Sequence, residues 1–212
     1  KSVELNNTLY YRVLPSLEFK IFKDPFYIYD SKKIEAYSLK NAIKSNMVYS
    51  SYVKKDGNRT LSLFSKYNNQ YNAGGDGALI DGLRGPNSYP TGFWQGFQGQ
   101  DFEAVVDLSE LKKISKVSIG AIQEIKSWIW FPKDIEFYAS KDGENFKKIG
   151  FIENEFPTNK YGSFVNNFEI LLDKSISSRY IKIKATNFGK CPKWHLGDGG
   201  ETWLFFDEII IE

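Results

Sequence analysis

The chain has 212 residues, 42% of them hydrophobic and 17% aromatic, with 28 Lys and Arg against 26 Asp and Glu. This is enough apolar material for one large or two modest domains, and a net charge of +2 with both signs interleaved excludes the basic footprint of a nucleic-acid binder. A single cysteine, Cys191, excludes an intrachain disulfide, a single histidine, His195, excludes a multi-histidine zinc site, and no run approaches the ~18 apolar residues of a membrane-spanning helix. Lys1 opens directly into a polar stretch without a start methionine, which suggests a piece of something longer.

In chain order, the first elements are period-2 runs at 17–22 (LEFKIF), 33–37 (KIEAY) and 47–53 (MVYSSYV), punctuated by Pro25, Asp30-Ser31 and Asn41. Alternation of this kind predicts strands with one buried face. Together they give a small antiparallel β unit over roughly 8–55, too small to bury much surface alone. A polar, glycine-rich stretch at 66–77 follows and places a domain boundary there, dividing the chain into 1–65 and 66–212; Lys55-Asp56-Gly57-Asn58 is the rival position.

Beyond it, strands are predicted at 102–108, 114–122, 134–140, 163–172, 179–185 and 204–211, with Asp142-Gly143 as a tight hairpin turn leading into 146–149. Only 109–113 (SELKK) has a helical look. Several short strands with turn signals between them predict an all-β sandwich or barrel.

Five segments then stand in a telling order: 78–82 (ALIDG), 103–108 (EAVVDL), 134–143 (DIEFYASKDG), 179–183 (RYIKI) and 206–209 (FDEI). This order resembles the coagulation factor 5/8 type C family, which comprises the discoidin domains and the family 32 carbohydrate-binding modules. More narrowly, 81–85 (DGLRG), 93–97 (FWQGF), 123–132 (QEIKSWIWFP) and 192–208 (PKWHLGDGGETWLFFDE) look like modules at the C-termini of bacterial family 20 β-N-acetylhexosaminidases. The stretch 24–53 resembles the small immunoglobulin-like domain, of chitobiase C-terminal type, that precedes such modules. The resemblance implies a small immunoglobulin-like domain followed by a discoidin-like jelly-roll sandwich. It also implies a bacterial, secreted, periplasmic or surface-held parent glycosidase whose catalytic domain would be a partner. The adjacent acids Asp207-Glu208 sit in the predicted final strand, where alternation turns two neighbours to opposite faces, so they do not read as a catalytic pair.

The candidate contacts are aromatic. Trp128, Trp194 and Trp203 lie in or beside loop-forming segments, where a planar ring can stack on the C–H face of a pyranose, and strand alternation would put Trp128 and Trp130 on one face. Trp94 reads better as packing. His195 beside Trp194, with Arg84, Gln123 and Asn187, offers polar groups for sugar hydroxyls. The resemblance further implies one structural calcium ion, at Asp81 and Glu208 with carbonyls near Ala78 and Leu83; Leu83-Arg84 stands where relatives have Asp or Asn, and the arginine could replace the ion with a salt bridge. No organic cofactor is expected. Two readings follow: a non-catalytic module that binds a glycan or terminal sugar, or a structural domain that braces the parent enzyme or contacts another protein.

Overall fold

The computed structural model describes residues 7–52 and 58–212. The chain divides into two compact units, Lys1–Lys55 and Asp56–Glu212.

In the first unit, β1 (Thr8–Val13) lies between β2 (Lys20–Ile21) and β3 (Lys32–Lys40). Along its other edge β3 pairs with β4 (Ile43–Lys44) and β5 (Val48–Tyr52), all antiparallel. Asn41 and Ala42, both at positive φ (48° and 64°), make the two-residue turn from β3 to β4, the backbone shape that suits the right-handed twist of a hairpin. Cross-strand pairs stabilise one face: Tyr10 stacks on Tyr37 with centroids 5.1 Å apart, and the Arg12 Nε donates to Glu35 at 2.6 Å. Of the alternating runs, 33–37 lies within β3 and 47–53 gives β5 from Val48 to Tyr52, with Val53 outside the described residues, whereas 17–22 is a strand only at Lys20–Ile21. Among the described residues the unit is one sheet, whereas an immunoglobulin-like sandwich has two.

The second unit is a sandwich built on two long strands. Strands β8 (Phe102–Gln123) and β11 (Phe164–Ala185), 22 residues each, pair antiparallel along most of their length. Residues 102–107 and 180–185 sit in a layer edged by β6 (Thr60–Leu63) on one side and by β9 (Asp134–Ser140) and β10 (Lys147–Glu153) on the other. Residues 114–123 and 164–176 carry the pairing into the other layer, with β12 (Trp203–Ile211) and then β7 (Gln95–Gln98). Strand alternation points Phe102, Val106, Ile119, Phe137, Ile183 and Phe206 into one shared core. The result is a jelly-roll β-sandwich. At the bend, Ser109 takes φ 67°, and the Arg179 Nε and Nη2 each donate at 2.8 Å to one oxygen of Asp107. That two-pronged bond holds the Asp107 carboxyl below the usual carboxylate range.

Three sequence expectations need correction. The stretch 109–113 is extended, because it pairs with Ser177 and Ser178 of β11 instead of coiling on itself. The domain boundary lies at Lys55/Asp56, the rival position, and not at 65/66, because Thr60–Leu63 pairs with Ala104–Asp107 and belongs to the sandwich. The turn at Asp142-Gly143 is a longer loop, 141–146, in which Asp142 Oδ1 accepts from the Ser140 hydroxyl and from the Glu144 and Asn145 N–H groups.

Segment 81–85 is strapped to the outer face of β12 by polar bonds centred on the buried Asp207 carboxylate. Asp207 Oδ2 accepts from Gly85 N at 2.8 Å and lies 3.1 Å from Arg84 Nε, while Arg84 Nη1 donates to Asn167 at 3.2 Å. Gly120 leaves the room for this: a Cβ there would stand 2.0 Å from Asp207 Oδ1 and 2.6 Å from Arg84 Nη2. Gly120→Ala is therefore expected to cost about 2–3 kcal/mol, since an overpacked site must move a buried ion pair. Urea unfolding of the two proteins checks this; equal midpoints would show that the strap is loose.

Candidate functional site

At one end of the sandwich, the segment from β8 to β9 and the segment from β11 to β12 lock together. After Gln123 the chain makes a single 3₁₀ turn, Ile125–Ser127, and Trp128 ends it in the left-handed region at φ 65°. A non-glycine residue holds that conformation only where its surroundings fix it. Here the Trp128 N–H donates to Ile125 O at 2.9 Å, its carbonyl accepts from Trp203 N at 2.8 Å, and Trp130 N donates to Trp203 O at 3.2 Å. The half-buried Trp128 indole is covered by the 190–201 loop, packed so closely against Gly197 and Gly200 that a Cβ on either would come within 2.4 Å of it.

That loop is closed by Cys191 N donating to Gly200 O (2.8 Å) and Gly199 N to Cys191 O (3.0 Å). His195 anchors it from inside. With 5% of its surface exposed, its Nε2 lies 2.8 Å from Ile125 O and its Nδ1 accepts from Gly197 N at 3.0 Å. These partners require the tautomer protonated at Nε2. Edge contacts with Trp130 (5.1 Å) and Trp194 (5.8 Å) complete its surroundings. With His195 turned inward, its neighbours on the loop turn outward: Trp194 is 49% exposed and Leu196 fully exposed. The site presents an indole and an isobutyl group on a loop whose backbone is tied at several points.

The other candidates do different work. Gln123 is buried, its Nε2 donating to Pro157 O (3.1 Å) and its Oε1 accepting from Phe131 N (3.2 Å), so it joins two loops and offers nothing to a ligand. Asn187 likewise bonds Gly189 N and the Thr202 hydroxyl, each at 2.7 Å. Arg84 holds Asp207 and Asn167. Trp203 is half-buried among Tyr71 (5.4 Å) and Phe205 (5.7 Å). Trp130 is buried, stacked on Phe188 at 5.1 Å, with its indole N–H on Thr158 O. Trp128 and Trp130 do not share a strand face, because Trp128 ends a turn. Trp94 packs as expected, donating to Pro86 O at 3.1 Å. Of the candidate contacts read from sequence, Trp194 is the one this loop leaves half exposed, and Leu196, which alternation and motif order did not single out, stands exposed on the same loop.

A second cluster lies at the final strand. Asp207 and Glu208 both face segment 81–85, with Gly82 N donating to Glu208 Oε2 at 3.1 Å and Gly85 N to Asp207. The expectation that they point to opposite faces fails because the pairing slips by one residue between Phe206 and Ile209, the mark of a β-bulge. Burial pushes the Asp207 carboxyl up, opposed by the Arg84 guanidinium. Burial also pushes Glu208 up, to about 8, and the neighbouring Asp81 and Asp207 carboxylates add to the rise. Arg84 has Asp207 as its ion-pair partner. A buried carboxylate crowded by acid is matched by a hard divalent cation with oxygen ligands. Among the described residues no three Asp, Glu, His or Cys side chains converge to hold a metal, so an ion at Asp81 and Glu208 would draw its other ligands from carbonyls such as those of Ala78 and Leu83.

The family model described as "F5/8 type C domain" matches residues 62–203. Solved structures similar to this chain include the family 32 carbohydrate-binding module of Clostridium perfringens NanJ in complex with galactose (17% identity, TM-score 0.47, covering 74% of this chain and 95% of that one). Another is a Clostridium perfringens module in complex with GalNAc-β-1,3-galactose (17%, 0.46, 74% and 96%). A third is a fucolectin from striped bass serum, Morone saxatilis (17%, 0.47, 72% and 45%). No curated protein sequence matches significantly. The family match runs from β6 to the start of β12 and covers well over half of the chain, so the chain belongs to the F5/8 type C domain family.

Proposed function

We propose that the chain is a non-catalytic accessory region of a bacterial glycoside hydrolase that works outside the cytoplasm, and that its sandwich binds a glycan against Trp194. The observation that carries this reading is the Trp194 indole, half exposed on a loop that His195 ties down from within. One edge of the ring packs on His195, the remainder stands in water where a sugar can stack on it, and pre-fixing it removes much of the ordering cost of binding. The β-N-acetylhexosaminidase parent, with the first unit as part of an immunoglobulin-like domain, rests on the motif order at 24–53, 81–85, 123–132 and 192–208. Strands β1 to β5 supply one antiparallel sheet of such a domain among the described residues, and the reading needs a second sheet that they do not form. Among the described residues no helix is long and apolar enough to cross a membrane.

A glycan array followed by calorimetric titration tests the reading. Binding to a terminal galactosyl, N-acetylhexosaminyl or fucosyl group is expected with a dissociation constant of roughly 0.1–1 mM, as suits a shallow site. Trp194→Ala should weaken it at least about tenfold and leave the melting temperature unchanged. His195→Ala, by contrast, should cost about 1–3 kcal/mol of stability, because Ile125 O and Gly197 N lose their buried partner. If Trp194→Ala instead lowers the melting temperature and no sugar binds, the structural, enzyme-bracing role is the correct one.

We also propose a structural calcium ion at Asp81 and Glu208, with the carbonyls of Ala78 and Leu83. When bound, it supplies positive charge to a buried acidic pair and takes no part in chemistry. Adding millimolar calcium to chelator-treated protein should raise the melting temperature by several degrees, and Glu208→Gln should abolish the rise. An identical melting curve with calcium and with chelator would remove the ion from the account.

A further inference from the structure

The outer face of the β6-containing layer carries a feature that the loop site does not use. One row of residues starts at Phe64, just past the end of β6, and crosses the four strands β8, β11, β9 and β10 in register. Phe64 N donates to Glu103 O, Glu103 pairs with Lys184, Lys184 with Glu136, and Glu136 with Phe151. The two end rings are open to solvent, Phe64 at 67% and Phe151 at 51%. At the Phe64 end the face sinks into a groove of about 420 Å³, with Ser65, Asp101, Glu103, Asp134, Lys184 and Thr186 among its lining residues.

The groove is rich in acceptors. Glu103 and Glu136 have cations of their own, Glu103 with Lys182 and Lys184 and Glu136 with Lys148. Among the described residues Asp101 and Asp134 have no ion-pair partner. Each is anchored by one oxygen: Asp101 Oδ1 accepts from Asn187 N (2.8 Å) and Asp134 Oδ1 from the Thr186 hydroxyl (2.7 Å). In each the Oδ2 has no hydrogen-bond partner among the described residues. The two carboxylates flank the end of β11 from either side, Asp101 just before β8 and Asp134 at the start of β9, so about two strand spacings, ~10 Å, separate their backbones. Phe64 is among the residues that line the groove and offers a ring on which a sugar could stack.

We propose that this groove is a second carbohydrate subsite and that it takes a protonated amino sugar. An exposed ring next to fixed polar groups suits a pyranose. Two pre-oriented carboxylate oxygens without a cation suit a ligand that donates from hydroxyls and carries an ammonium. An N-acetylated sugar lacks that ammonium. The proposal stands apart from the Trp194 loop, since none of its residues belongs to that loop.

The test uses the full chain carrying Trp194→Ala, so that binding which persists belongs to the groove. The probes are a β-1,4-linked glucosamine tetramer and its fully N-acetylated counterpart, titrated by calorimetry or by amide chemical shifts. The glucosamine tetramer should bind in the millimolar range, at least fivefold tighter than the acetylated one. Phe64→Ala and the double variant Asp101→Asn, Asp134→Asn should each weaken it at least fivefold. Asparagine keeps the acceptor for Asn187 N and Thr186, so the double variant remains decisive should Phe64→Ala alter folding. Three results would each overturn the proposal: no binding of the glucosamine tetramer, equal binding of the two tetramers, or wild-type binding by the double variant. None of these bears on whether Trp194 holds a glycan, which is read from the same chain with Trp194 intact.

Discussion

The pairing of β8 with β11 is the constraint on which the sandwich depends. These two strands run through both layers, so every other strand of the sandwich takes its place from them. β6 and β9 flank their first shared stretch and β12 flanks the other. Contacts between residues about 40 to 80 positions apart in sequence come from this single ladder, a non-local topology that carries a large loop-closure cost before it is repaid. The repayment is the shared core of aromatic and β-branched residues. The Asp107–Arg179 pair at the bend adds orientation more than energy, being partly open to water.

Rigidity at the loop end follows from the same ladder. The segments carrying Trp128 and Trp194 leave from the ends of β8 and β11, close enough for backbone bonds to join them. Once joined, their buried polar atoms must be satisfied locally, and His195, Gln123, Asn187 and Thr202 do that. Residues that look like ligand contacts in the sequence are thereby consumed as internal partners. What remains for a ligand is what those bonds leave outside, the Trp194 ring and the Leu196 side chain.

This explains which parts of the molecule were legible in the sequence. Strand positions were, because alternation is a direct image of a face buried against a core; 134–140 matched residue for residue. The order of five short motifs gave the family. Three things were not legible. The 109–113 stretch alternates weakly and its polar residues suit an exposed strand as well as a helix, so only its long-range partner in β11 decides. The slip at Asp207-Glu208 adds one residue to β12 without any glycine or proline to announce it, and so turns both carboxylates toward one segment. The left-handed turn at Trp128 falls on a residue type that rarely adopts it, and it exists because two glycines, Gly197 and Gly200, let another loop close over the ring. A spacing of glycines next to a distant tryptophan was the available signal, and it becomes readable only once the two loops are known to meet.

On the proposed reading, the shape of the site also decides how such a module would be of use. An indole on a convex loop covers one face of one sugar, which limits the free energy to roughly 4–6 kcal/mol and the dissociation constant to the millimolar or upper micromolar range. Free in solution, that occupancy is slight. Attached to a catalytic domain already working on the same glycan, the module meets its sugar at an effective concentration in the millimolar range for a short connection, comparable to the dissociation constant itself. Binding then lengthens the enzyme's residence on a surface with many ends and still releases quickly enough for it to move on. Tight binding would defeat this. A shallow platform fixed by internal hydrogen bonds, in place of a deep pocket closed around the ligand, is the arrangement that weak, repeated contact requires.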